Sequence, residues 1–149
     1  MTARTDERQA LSTLLIGRWQ LTAAKLADLA REFPEDQYDA APPEGVRTFG
    51  DVLRHVAFWN QYVAQTARGW KADDTANELP KAKYATKAQL IAALTESAGD
   101  ALAALREQRG VLNAEQMALA ESFIEHTCEH YGQLVAFARR AGVVPPASR

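Results

Sequence analysis

Apolar residues recur every three or four positions along most of the chain, which is the spacing of one face of an α-helix. No segment has the alternation of apolar and polar residues that is typical of a half-buried β-strand. Clusters of proline, glycine and aspartate interrupt the pattern and divide the chain into four amphipathic segments. Amphipathic helices are stable when their apolar stripes pack together, so the pattern predicts an all-α four-helix bundle.

Sequence signals also predict where the helices begin and end. The first helix is predicted from about Asp6 to Phe33, and the second from the N-cap Thr48 to about Gly69. The apolar face of the first consists of Leu11, Leu15, Trp19, Leu26, Leu29 and Phe33. The third and fourth helices each open on a capping box and end at a glycine. The boxes are Thr86 with Gln89 and Asn113 with Gln116, and the glycines are Gly110 and Gly142.

Two predicted connections, residues 34–47 and 70–85, are longer than the roughly 2–8 residues usual between helices of a simple bundle. They indicate at least one long crossover connection, or loops that cover a site. Because all four predicted helices contribute to the same bundle, we expect residues 1–149 to form a single domain.

Composition narrows the class of protein but not its chemistry. With 149 residues, of which 47% are hydrophobic, the chain can bury a sizeable core. The net charge of −2 and the pI near 5.9 provide no attraction for nucleic acid or an anionic membrane. The N-terminal residues do not resemble a signal peptide, and no apolar run has membrane-spanning length. The single cysteine, Cys128, excludes an internal disulfide, so we expect a cytoplasmic protein without membrane partners.

The three histidines all fall on predicted apolar faces. His126 and His130 lie one turn apart on the fourth helix, and His55 lies on the second. A buried imidazole needs a partner for each nitrogen, and helix backbones offer none because their own groups are already paired. The rings either bond to one another as core histidines or bind a divalent metal. Three nitrogens leave a coordination position open, as in catalytic zinc sites, but imidazole alone does not select the metal.

The sequence gives weaker indications of a functional role for several other polar residues. Asp51 and Gln133 are candidate acceptors for the second nitrogen of a metal-binding ring, and Asp51 and Glu129 are weak candidates for a general base. The stretch HTCEH matches the zinc motif of inverted metalloproteases, but no acidic residue follows Glu129 to complete their ligand set. Cys128 falls on nearly the opposite helix face and is interpreted as a small apolar filler. Three arginines on helix edges are interpreted as solvated, with anion binding as the alternative. They are Arg18, Arg47 and Arg54.

Two stretches resemble the DinB-like, YfiT-related family: RTFGDVLRHVAFWN at 47–60 and HTCEHYGQLVAFARRAGVVPPASR at 126–149. The resemblance implies a four-helix bundle with an unusual helix connection, often a homodimer. It also implies a divalent metal, commonly nickel or zinc with iron and manganese as alternatives, held by histidines at His55, His126 and His130. Characterised relatives include metal-dependent transferases and isomerases that use thiols such as mycothiol, bacillithiol or glutathione.

Three functional hypotheses follow. The first is a metal-dependent enzyme that transfers a low-molecular-weight thiol to a small electrophile, with no nucleic-acid partner. The second is a non-catalytic, stress-associated bundle in which the metal joins two helices. The third, a hydrolase that activates water on the metal with Glu129 or Asp51 as base, shares the same ligands.

Overall fold

The computed structural model describes residues 2–107 and 109–149, and within these ranges the chain forms four α-helices and no β-strand. The helices are α1 (Thr2–Glu32), α2 (Phe49–Ala67), α3 (Lys87–Arg106) and α4 (Ala114–Arg140). Two single 3-10 turns, Glu35–Gln37 and Pro146–Ser148, follow α1 and α4. The predicted all-α four-helix bundle is therefore confirmed. No helix in the described ranges is long and apolar enough to cross a membrane.

The predicted helix caps form as expected. The Thr48 side chain accepts a hydrogen bond from the Asp51 amide, which leaves one fewer unpaired donor at the start of α2. Both predicted capping boxes are complete, with each side chain bonded to the other residue's backbone N–H. Gly142 follows α4 at φ +77°, a left-handed conformation that glycine adopts without steric cost. Two boundaries differ from the prediction. Helix α1 begins about one turn before Asp6, and α3 ends at Arg106, before the predicted Gly110.

The order of packing confirms a crossover topology. Helix α2 packs against α3 and α4, and α1 packs against the same two helices. Within the described residues α1 and α2 therefore lie across the bundle diagonal, and residues 33–48 cross the bundle to join them. The second long connection, residues 68–86, joins the neighbours α2 and α3 and lies against α2, where the Leu79 amide donates to the Arg54 carbonyl.

The core consists of two adjoining apolar clusters. The larger one surrounds the first half of α2 and contains Leu26, Leu29, Phe33, Phe49, Val52, Leu53, Val56, Leu90, Leu94 and Leu134. The second contains Ile16, Trp19, Val63, Ala101, Ala104, Leu105, Leu112 and Ala120. Burial of these side chains supplies most of the stabilisation, at about 25 cal/mol for each Å² of apolar surface.

The predicted apolar face of α1 is wrong at its first position. Leu11 is 52% exposed, and the neighbouring Ser12 is buried instead. The Ser12 hydroxyl accepts from the Leu112 amide at 2.9 Å and donates to the Arg8 carbonyl at 2.7 Å. The hydroxyl thus has a partner both as a donor and as an acceptor. The serine side chain can therefore be buried against Leu112, just before the start of α4.

Arg54 is also buried, so its interpretation as a solvated arginine is wrong. Its Nε–H donates to the Tyr84 carbonyl at 2.9 Å, and Nη1 donates to Asp51 at 2.7 Å and Asp39 at 3.4 Å. Asp39 and Tyr84 belong to the two long connections, so one guanidinium fastens both of them to α2. Nη2 is buried without a hydrogen-bond partner in the described part of the chain.

Candidate metal centre

The fold brings the three histidines together between α2 and α4. His55 is buried, and His126 and His130 are half-buried. The three ring centroids lie 4.6–4.9 Å apart, and the Nε2 atoms of His55 and His126 are 2.9 Å apart. One nitrogen from each ring lies within 4.8 Å of the other two, so the group could hold a metal ion.

In two of the rings, the nitrogen that faces away from the cluster lies within hydrogen-bond distance of an oxygen acceptor. Nδ1 of His55 lies 2.6 Å from the Asn77 backbone carbonyl, and Nδ1 of His130 lies 3.1 Å from Oε1 of Gln133. A carbonyl can only accept, so each Nδ1 carries the hydrogen and each Nε2 keeps its lone pair. This is the arrangement found in metal-binding histidines, where an acceptor behind the ring fixes the tautomer and the ring orientation.

Of the two predicted acceptors, only Gln133 has that role. Asp51 is held instead by Arg54, and the outer nitrogen of His55 faces Asn77, so the pairing of Asp51 with His55 is wrong. Sequence reasoning missed Asn77 because a backbone carbonyl leaves no mark in the sequence. The weak signal was an asparagine in a loop, since asparagine tolerates positive φ better than most residues.

Burial favours the neutral form of His55 and His126. Desolvation lowers the pKa of His55, although its hydrogen bond to Asn77 acts in the opposite direction. Desolvation is also the main cause that lowers the pKa of His126, to about 4, and electrostatic interactions with His130, His55 and Arg47 lower it further. Only the neutral ring has a lone pair for a metal, so the lowered pKa of His126 favours the form of the ring that can coordinate an ion at neutral pH.

Aromatic rings line the cluster on the side of α2 that faces α4. Trp59 contacts the edge of His55 at 6.3 Å between centroids and stacks on Phe123 at 5.6 Å. Tyr62 lies 5.1 Å from Trp59, and Phe123 lies 5.7 Å from His126. These rings are half-buried and form an apolar wall beside the imidazoles. Trp59, on the apolar face of α2, therefore borders the site.

The remaining candidates lie away from the imidazole nitrogens. Glu129 is exposed on α4. The Asp51 carboxylate is desolvated, which raises its pKa, but hydrogen bonds from Thr48 and Arg54 outweigh this effect and the net pKa is lowered. Cys128 is exposed, with its sulfur 3.9 Å from the Thr22 hydroxyl, so the interpretation as a buried filler is wrong. General-base roles for Glu129 and Asp51 stay predictions.

The donor set fits a divalent transition metal. Bonds from zinc to histidine nitrogen measure about 2.0–2.1 Å, so one ion can reach two nitrogens that lie 2.9 Å apart. Neutral imidazoles suit zinc, nickel, copper and iron, and three of them leave room for a further ligand.

Comparison with models of protein families identifies the family of this chain. The model of the DinB superfamily matches residues 18–139, which include all three histidines. The chain belongs to the DinB superfamily. Comparisons with curated proteins and with solved structures found no significant match. The predicted family is thus confirmed, and a cluster of three histidines in this DinB-superfamily chain is compatible with metal binding.

Proposed function

We propose that this DinB-superfamily protein binds one divalent metal ion, nickel or zinc, through the Nε2 atoms of His55, His126 and His130. The observation that carries the proposal is the convergence of three imidazoles, two of which are oriented by oxygen acceptors at Nδ1. Without an ion, a buried ring such as His55 would keep one lone pair that only a neighbouring imidazole can satisfy.

We further propose that the protein is an enzyme that transfers a low-molecular-weight thiol to a small electrophile. A bound divalent ion would lower the pKa of a coordinated thiol and so supply a thiolate at neutral pH. The apolar wall of Trp59, Tyr62 and Phe123 would contact the substrate and exclude water from the imidazoles. The family assignment and the open coordination position support this proposal.

Metal content tests the first proposal. The protein purified after growth with nickel and zinc is expected to contain about one ion per chain, and His55→Ala or His126→Ala is expected to lose most of it. Cys128→Ala is the matched control, since it removes another potential ligand from the same stretch of α4 and leaves the imidazoles unchanged. Equal metal content in the two histidine variants and the wild type would disprove the three-histidine site.

A thiol assay tests the second proposal. Glutathione, bacillithiol and mycothiol are each mixed with a chromogenic nitroaryl halide and the metal-loaded protein, with and without a chelator. At least one thiol is expected to react faster with the loaded protein than with the His55→Ala variant. Identical rates in every arm, in protein shown to contain metal, would favour the non-catalytic bundle instead. The homodimer and the cytoplasmic location stay predictions.

A further inference from the structure

We propose that Asn77 is a positioning residue of the metal centre, which fixes both the tautomer and the orientation of His55. The inference deepens the proposed metal binding and rests on it where affinity is concerned. The tautomer of His55, in contrast, is a property of the metal-free protein and can be tested separately.

Asn77 contacts two successive turns of α2 at once. Its backbone carbonyl accepts from Nδ1 of His55 at 2.6 Å, and its side-chain Oδ1 accepts from Nε1–H of Trp59 at 3.1 Å. His55 and Trp59 are one helical turn apart on the same side of α2. Asn77 thus fixes the position of His55, a proposed metal ligand, relative to Trp59, a ring of the apolar wall.

The backbone at Asn77 is left-handed, with φ +63°. Most side chains disfavour this conformation, whereas asparagine is enriched in it and glycine adopts it freely. In this conformation both the carbonyl and the side chain of Asn77 reach α2. A β-branched residue at this position would be strained and would displace the carbonyl from His55.

The two following residues hold the carbonyl in place. Glu78 forms an ion pair with Arg47 at 3.3 Å, and the Leu79 amide donates to the Arg54 carbonyl at 3.2 Å. Leu79 is buried in the larger core cluster. The segment 77–79 is therefore attached to α2, to the end of the first long connection and to the core.

The three rings differ in their hydrogen bonds, and the contact with Asn77 is one cause of this difference. His55 and His130 have an acceptor at Nδ1, so their Nε2 lone pairs point inward before an ion arrives. His126 bonds through Nε2 to His55 and has to give up that bond when an ion binds. The orientation of His55 thus rests on Asn77, and its loss is expected to weaken metal affinity in the range of 10–100-fold, as for other residues that orient metal ligands.

The decisive experiment introduces valine at two residues whose backbone is left-handed, Asn77 and Arg109. Asn77→Val is expected to weaken the affinity for nickel or zinc about tenfold or more in a chelator competition. Asn77→Gly keeps the backbone conformation and the carbonyl but removes the bond to Trp59, so its loss is expected to be smaller. Arg109→Val is the matched control, because Arg109 has φ +58° in the turn after α3 and should leave the affinity unchanged. Circular dichroism ensures that only folded variants are compared.

A second readout needs no metal. Nitrogen-15 NMR of the metal-free protein is expected to show His55 with its hydrogen on Nδ1, and Asn77→Val is expected to shift the ring toward a mixture of tautomers. A His55 ring with its hydrogen on Nε2 in the wild type would overturn the inference, even in a protein that binds metal tightly. Wild-type affinity in both Asn77 variants would also overturn it. Absence of metal from the wild type would instead reject the proposed function and leave the NMR result to decide the role of Asn77.

Discussion

Replacement of Arg54 by methionine tests how strongly one buried guanidinium stabilises the bundle. Arg54 is only 1% exposed and joins α2 to both long connections through Asp39 and Tyr84. Methionine retains much of the apolar stem and removes the charge together with all the hydrogen bonds of the guanidinium. The metal centre does not include Arg54, so the experiment is done on the metal-free protein in EDTA.

The structure gives the size of the effect. Hydrogen bonds to charged groups contribute about 1.5–3 kcal/mol each, and Arg54 makes two short ones, to Asp51 at 2.7 Å and to Tyr84 at 2.9 Å. Buried Nη2 has no partner in the described residues, and that defect costs the wild type about 1–3 kcal/mol, which methionine removes. Asp39 and Asp51 are partly exposed and can bind water after the substitution. The net loss is expected to be about 2 kcal/mol, which corresponds to roughly 4–8 °C in Tm.

Urea unfolding at pH 7, followed by circular dichroism, measures the loss. Arg18→Met is the matched control, since Arg18 is exposed on α1 and its loss should change the free energy of unfolding by less than about 0.5 kcal/mol. The difference between Arg54→Met and the wild type should shrink in acid. The folded-state pKa of Asp51 is lowered, so the bond to Arg54 stabilises the fold above the ordinary value of 3.8 and is lost as the pH falls below it.

An Arg54→Met protein as stable as the wild type would refute this reasoning. It would show that the unpartnered Nη2 and the desolvation of the charge offset the hydrogen bonds completely, as in some buried ion pairs. A loss that is unchanged at pH 3 would also contradict the reasoning, because it would assign the effect to packing or to the Tyr84 carbonyl and not to the carboxylates.

Three further predictions concern caps, core and pH. Asn113→Ala should lower the free energy of unfolding by about 1 kcal/mol in urea, because it removes half of the capping box of α4, and an unchanged value would show that the cap is dispensable. Leu134→Ala should cost about 2–5 kcal/mol in the same assay, since Leu134 is fully buried in the larger core cluster, whereas a cost below 1 kcal/mol would indicate that the cavity collapses. The metal-free protein should lose stability as the pH falls from 6.5 to about 4, because the unfolded chain protonates His126 before the folded protein does. His126→Phe should flatten this part of the stability–pH curve, and a curve parallel to that of the wild type would contradict the assignment.

The secondary structure followed from local signals, which explains why the sequence predicted it well. A cap such as Thr48, or a capping box such as that of Thr86, acts within one helical turn, so its effect can be read without the rest of the chain. The apolar period likewise placed His55, His126 and His130 on inward faces, and the structure brings them together. Periodicity is less informative at Ser12, because its burial depends on a bond to the backbone of Leu112, which lies 100 residues away in the chain.

The sequence by itself determined four amphipathic helices, two long connections and three imidazoles on apolar faces, since each depends on residues close together in the chain. Only the tertiary structure decided which groups surround those imidazoles. The acceptor behind His55 is a backbone carbonyl, and every residue has one, so no pattern of side chains could assign it to Asn77. The burial of Arg54 was equally hidden, because two of its three partners, Asp39 and Tyr84, lie on separate connections that meet only when the helices pack.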